Sequence, residues 1–188
     1  EPDPESLQYG RQLVAVVRHG CDLVLLDLAS RDWRRIQAQD PDDRRIDVLW
    51  RGGKSSRLCL LLGYLMTRAE MFADAELRVL SVADPEREER ERSTIEHLLQ
   101  EARIDSDILF ASDEEKLVAA AEDASVAFVP IVVESMHRVR PELEIDLAAS
   151  VERLPLACLV AASGEVRLTE AEEERAQQRR AREPEAAP

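Results

Sequence analysis

The chain has 188 residues and a formal net charge of −14, from 39 acidic and 25 basic residues. This length suits one domain with a hydrophobic core and is short for two, and an apolar fraction of 45% is typical of a globular protein. The acidity argues against binding to nucleic acid or to anionic lipid, because both interactions depend on clustered Lys and Arg.

The three cysteines, Cys21, Cys59 and Cys158, are far apart and lie beside leucines and alanines. We therefore predict buried thiols rather than a disulfide or a metal site. No apolar run reaches the about 18 residues that cross a bilayer, and no signal peptide is recognisable. Because the first residue is Glu1 rather than Met, we expect a soluble piece of a longer protein from a reducing compartment.

The first predicted element is a helix over about 4–19, which begins at an Asp-Pro pair and ends at Gly20. A strand over 13–17, followed by a hairpin, is the alternative for this segment. A strand is predicted at 22–28. Residues 29–44 are rich in Asp, Arg and Gln, and this composition predicts a solvated connection.

From residue 46 onward, strands and helices alternate. The predicted strands span 46–50, 77–82, 107–110, 126–133 and 156–161, and the predicted helices span about 55–71, 85–103, 112–121 and 140–153. Pro130 is expected to end its strand, because proline cannot donate a ladder hydrogen bond.

Several of these strands are apolar at nearly every position, which indicates burial on both faces. The pattern therefore predicts an α/β fold in three layers, with a mainly parallel sheet and helices on both faces. Residues 1–165 are expected to form this single domain. Residues 166–188 are expected to form a charged helical or disordered tail, because the sequence from Thr169 onward lacks an apolar stripe.

The tripeptide Gly53-Lys54-Ser55 lies between a strand and a helix, where a phosphate-binding P-loop would lie. A P-loop needs an earlier glycine five residues before the second, and that position is Val48, inside the strand. Two interpretations stay open. One is a plain strand-to-helix turn, and the other is a weak anion site at the helix N-terminus, with the candidates Gly52, Gly53, Lys54 and Ser55.

We predict no catalytic residues, no metal ligands and no cofactor. The histidines are scattered without ligand spacing, and no serine lies in a nucleophile elbow.

The helix at 55–71 carries two apolar stripes. Leu58, Leu61, Leu62 and Leu65 are expected to face the sheet, whereas Leu60, Tyr64 and Met71 form a second stripe on nearly the opposite side. A helix that covers one side of a sheet needs only one such stripe. The second is therefore a candidate interface with another chain, or it is covered by residues 4–19 or by the tail.

This segment resembles the C-terminal cytoplasmic domain of cation–chloride cotransporters and of their amino-acid-permease-like prokaryotic relatives. The matching residues are Ile46, Asp47, Val48 and Trp50, then Leu58, Leu60, Leu61, Tyr64, Leu65, Thr67 and Arg68, then Leu77, Arg78 and Val79. Leu49 stands where the family pattern has a tryptophan.

The resemblance implies a fold like that of universal stress proteins, pairing into a homodimer, and an influence on transport without catalysis. It also implies a position on the cytoplasmic side of the cell membrane, attached to the transmembrane domain of the same polypeptide. The alternative hypothesis is a stand-alone nucleotide-binding protein of the universal-stress-protein type that uses Gly52–Ser55. The segment after Pro130 lacks the glycine-rich loop with which some proteins of that fold bind ATP.

Overall fold

The computed structural model describes residues 4–26, 30–135, 138–170 and 172–174. Its α-helices are α1 (Pro4–Arg18), α2 (Ser30–Ala38), α3 (Lys54–Met66), α4 (Pro85–Ala102), α5 (Glu114–Ala121) and α6 (Leu147–Arg153). Its strands are β1 (Leu23–Leu26), β2 (Arg45–Trp50), β3 (Glu76–Val82), β4 (Asp107–Ala111), β5 (Val126–Ser135), β6 (Arg138–Pro141) and β7 (Ala157–Ala161). Short 3-10 turns lie at Pro41–Asp43 and Glu70–Phe72.

The strands lie in the order β1-β7-β5-β2-β3-β4, and β6 pairs with β5. Neighbours from β7 to β4 are parallel, whereas β1 runs antiparallel to β7 and β6 antiparallel to β5. Val48 in β2 is paired with Val79 on one side and Phe128 on the other. The prediction of a mainly parallel sheet is confirmed.

Helices cover both faces of the sheet. The α3 face carries Val48, Val79 and Phe128, and α3 and α4 pack against it. The α5 face carries Leu49 and Leu80, and α5 and α6 pack there. Because successive side chains of a strand point to opposite faces, one apolar strand supplies both cores. The predicted three-layer arrangement is confirmed.

The predicted solvated connection at 29–44 is wrong, because it contains α2. Its anchor is Ile36, which is completely buried in the core of the α3 face. The Arg35 guanidinium also donates to the carbonyl of Ala124 (2.8 Å). Ile36 docks this short helix on the core, although the polar residues around it hide the helix in the sequence.

The prediction that Pro130 ends its strand is also wrong. β2 pairs with β5 only as far as Phe128, so the missing N–H of Pro130 breaks no ladder bond with β2. The Pro130 carbonyl accepts from the backbone N–H of Glu142 (2.8 Å), and β6 then pairs with the rest of β5. The helix predicted from 140 therefore begins only at Leu147.

The first predicted helix is confirmed as α1, and its strand alternative is wrong. The helix predicted over 55–71 ends at Met66 instead. The Thr67 hydroxyl donates to the Tyr64 carbonyl (2.7 Å) at this end. A 3-10 turn then places Phe72 in the core with 3% exposure.

Candidate functional site

The loop between β2 and α3 lies at the carboxyl end of the parallel sheet. Gly52 has φ +81°, a conformation that favours glycine, and Gly53 is the N-cap residue of α3. β2 and β5 are neighbours, yet the chain leaves them toward opposite faces, to α3 and to α6 respectively. In open α/β sheets, such a switch point is where ligands bind.

The chain fills this switch point with its own carboxylate. The Ser56 hydroxyl donates to Oε2 of Glu142 (2.9 Å), and Ser56 is completely buried. A Cβ added at Gly53 would lie 2.6 Å from the same oxygen, so glycine is needed there for the carboxylate to approach. A negative charge at a helix N-terminus is stabilised by the helix dipole. Glu142 therefore takes the place that an external anion would occupy.

Ser55 and Lys54 are also engaged within the chain. The Ser55 hydroxyl donates to the Ile131 carbonyl (3.0 Å) and accepts from the Ala162 N–H (3.2 Å), so it links the middle of β5 to the end of β7. Lys54 Nζ donates to the Ser163 carbonyl (2.9 Å). The structure thus brings the four predicted anion-site residues to one turn, and its geometry favours the plain strand-to-helix turn.

Sequence reasoning missed Ser56 and Glu142. The serine at the start of an apolar helix is a visible signal, but its partner lies 86 residues away. Only the long extension of β5 beyond the sheet, with its return in β6, brings Glu142 back to α3. Nothing local in the sequence predicts that return.

α3 faces the sheet with its small residues and with part of the predicted leucine stripe, since Leu58 is buried and Leu61 and Leu62 pack against the core. Cys59 is completely buried, and a Cβ on Gly63 would lie 3.1 Å from a methyl group of Leu77. Leu65, the last residue of the predicted stripe, is 53% exposed, so the prediction is wrong at that position. Leu60 has no exposure at all. As a candidate interface residue Leu60 is corrected, because its own chain covers it.

The other two candidate interface residues lie at the edge of the same core. Tyr64 and Met71 are half-buried and pack against its periphery. Met71 lies on the 3-10 turn rather than on α3, and its carbonyl accepts from the Arg44 guanidinium. The three residues therefore form no continuous stripe.

The beginning of the predicted tail covers part of α3. Val166 and Leu168 pack against the core of the α3 face, and Glu172 forms an ion pair with Arg57 of α3. Burial by itself would raise the pKa of Glu172. The hydrogen bonds from the Leu168 N–H and the Arg57 guanidinium have a larger combined effect, so the pKa is lowered below its usual value. Residues 166–170 and Glu172 therefore belong to the packed structure rather than to a solvated tail.

A buried ion pair links β2 to β3 on the α5 face. Arg78 donates through Nε and Nη2 to the two carboxylate oxygens of Asp47, at 2.8 and 2.6 Å, and Asp47 has no exposure. Arg78 also donates to the Ala120 carbonyl of α5 (3.2 Å). Burial raises the pKa of Asp47, and the hydrogen bonds and charge of Arg78 oppose that rise only in part.

Tyr64 and Arg68 interact at the C-terminal end of α3. The Arg68 guanidinium lies 4.7 Å from the centre of the Tyr64 ring and donates to the Tyr64 hydroxyl (2.5 Å). Both residues line an open groove that carries charges of both signs, from Arg103 and from Glu76 and Asp107. Ser106, which also lines the groove, donates its hydroxyl to the backbone carbonyl of Asp107 (3.2 Å).

The described residues were also compared with the requirements of a metal site and of a membrane-spanning helix. No three His, Cys, Asp or Glu side chains there are grouped so that they could hold a metal ion. Among the same residues, no helix is both long enough and apolar enough to cross a membrane.

The chain matches the model of a known protein family. The family model described as solute carrier family 12 matches residues 31–182, which include every strand from β2 to β7. No curated protein matches the chain.

Proposed function

Because the chain belongs to solute carrier family 12, we propose that it is a regulatory and dimerisation domain on the cytoplasmic side of a transporter of the cation–chloride cotransporter type. The observation that carries this proposal is the extent of the family match, which covers the whole parallel sheet. Transport itself requires segments that span the bilayer, and the described helices include none. The domain would therefore act on transport through protein contacts.

The geometry of the switch point supports a role without a small-molecule ligand. In this strand order, a nucleotide would place its phosphates at the N-terminus of α3. Glu142 lies there with its carboxylate bonded to Ser56 (2.9 Å). A phosphate would meet a like charge, so the stand-alone nucleotide-binding alternative has no observation in its favour. Titration calorimetry with ATP tests it, and heat that saturates at a stoichiometric ratio would restore it.

The sidedness of the domain and its pairing can be tested on the whole transporter. The protein is reconstituted into vesicles of known orientation with a protease site placed after residue 174. We expect cleavage only from the cytoplasmic side, and cleavage from the opposite side would contradict the location.

The mass of the detergent-solubilised transporter measures its pairing. We expect two chains per particle for the whole protein and one chain after deletion of the domain. A deletion variant that still has two chains per particle would contradict the dimerisation role.

A further inference from the structure

We propose that a cavity outside the carboxyl ends of β2 and β3 is a binding site for a small oxyanion, either a phosphate or a carboxylate group. The cavity has a volume of about 390 Å³ and lies between the β2–α3 loop, the end of β3 and the first half of α4. Open α/β sheets bind their ligands outside the carboxyl ends of the strands. This cavity is separate from the N-terminus of α3 that Glu142 fills, and its assignment does not depend on the proposed regulatory or dimerisation role.

The indole of Trp50 has a hydrogen-bond donor without a partner among the described residues. Trp50 is 7% exposed, and a buried indole N–H usually has an acceptor. In the described part of the chain, the fully enclosed side-chain atom without a partner is Nε of Arg44, so the indole nitrogen of Trp50 keeps contact with solvent. It lies 3.9 Å from the position of a Cβ at Gly52, and Gly52 lines the cavity together with Trp50. The indole N–H is therefore available to a ligand in this cavity.

Two arginine side chains at the cavity are also uncommitted. Arg51 and Arg87 line it, and neither guanidinium has a hydrogen bond or an ion pair with the described residues. Elsewhere in this acidic chain, Arg57, Arg78 and Arg153 each bind a carboxylate. A guanidinium presents its N–H groups as a fork that matches two oxygens of a carboxylate or a phosphate. The free donors of the cavity therefore suit an oxyanion.

The remaining polar side chains fix the charge of the cavity. The Ser81 hydroxyl donates to the Trp50 carbonyl (3.3 Å), and the Thr94 hydroxyl donates to a carbonyl of its own helix (2.9 Å). Glu91 lines the cavity without an ion pair to the described residues. Two arginines and one carboxylate leave a net positive charge in a chain whose total is −14, so the site favours an anion. Its volume is near the lower end of the roughly 300–1,000 Å³ of small-molecule pockets.

Nuclear magnetic resonance of the indole N–H tests the assignment directly. The chain has two tryptophans, and Trp33→Phe leaves the indole signal of Trp50 alone. This protein is titrated with sodium phosphate, sodium acetate and sodium chloride, compared at equal ionic strength and pH. We expect phosphate or acetate to shift the Trp50 signal to saturation and chloride to leave it in place. Saturation by phosphate alone identifies a phosphate site, and saturation by acetate identifies a carboxylate site.

Three substitutions on α4 test which side chains bind the anion. Arg87→Gln is expected to raise the half-saturating concentration about tenfold, because a hydrogen bond to a charged group is lost, and Glu91→Gln is expected to lower it. Arg90→Gln removes the same charge from an exposed residue outside the cavity and is expected to keep the wild-type value. Circular dichroism verifies that each variant is folded.

A Trp50 signal that no salt moves, or that chloride moves as far as the oxyanions do, would overturn the oxyanion site. Equal weakening by Arg87→Gln and Arg90→Gln would overturn it too, because the effect would then come from the overall charge of the chain.

Discussion

Replacing Asp47 by leucine removes one partner of the buried pair and leaves the Arg78 guanidinium facing an apolar side chain. Asp47 is completely buried and Arg78 is 9% exposed, so solvent compensates little of the loss. Breaking such a pair costs about 3–5 kcal/mol. Replacing both residues, as Asp47→Leu with Arg78→Met, removes both charges, and the exchange of a buried pair for apolar residues is often neutral or stabilising. We expect the double variant to be more stable than Asp47→Leu by at least about 2 kcal/mol.

Urea unfolding followed by circular dichroism measures the stability of the wild type, the two single variants and the double variant.

The stability cost of Arg78→Met should also depend on pH. Burial raises the pKa of Asp47 in the folded chain, so its contribution to stability is present below the unfolded pKa and is lost as pH rises through the folded pKa. Arg78→Met is therefore expected to cost less at pH 5 than at pH 7. Additive costs of the two single changes, or a cost of Asp47→Leu below about 1 kcal/mol, would refute the reasoning.

Three other substitutions test the contacts around α3, two of them by their effect on urea unfolding and the third by amide exchange. Glu142→Gln removes the charge at the helix N-terminus and should cost about 1 kcal/mol; no change would show that the carboxylate contributes nothing there. Gly63→Val forces a larger side chain against Leu77, where even a Cβ would lie 3.1 Å away, and should cost about 1–3 kcal/mol. Gly164→Val, with nothing within 4 Å of its Cβ position, is the control and should cost less. Glu172→Gln breaks the ion pair with Arg57, so the amides of 166–170 should exchange faster than in the wild type. Because the pKa of Glu172 is lowered, the wild type should lose that protection as pH falls through this folded pKa, whereas Glu172→Gln should not change there.

The sequence predicts the sheet well because its central strands are buried on both faces. Strands such as β3 and β7 carry that requirement in nearly every residue, so their position and their parallel pairing follow from local composition. The leucine pattern of α3 places Leu65 wrongly because it ignores how closely a helix must approach a sheet. The spacing of Ser55, Cys59 and Gly63 marks the contact side more reliably than the leucines do.

The candidate site was less predictable because its contacts join distant parts of the chain. Glu142 reaches Ser56 only after β5 extends past Pro130 and returns as β6. The sequence does indicate the Asp47–Arg78 pair, because each charged residue lies between two apolar residues of a strand. The two strands are adjacent and parallel, and the charges are opposite. That signal becomes a contact only when the register is known.

The proposed regulatory role is tested most directly by uptake. Chloride-dependent cation uptake is measured in vesicles that contain equal amounts of the whole transporter or of the same protein without this domain. Deletion of the domain is expected to change the initial rate severalfold while the transmembrane part stays folded and inserted. If the two proteins take up the cation at the same rate, at high chloride and also at low chloride, a regulatory role for the domain is contradicted.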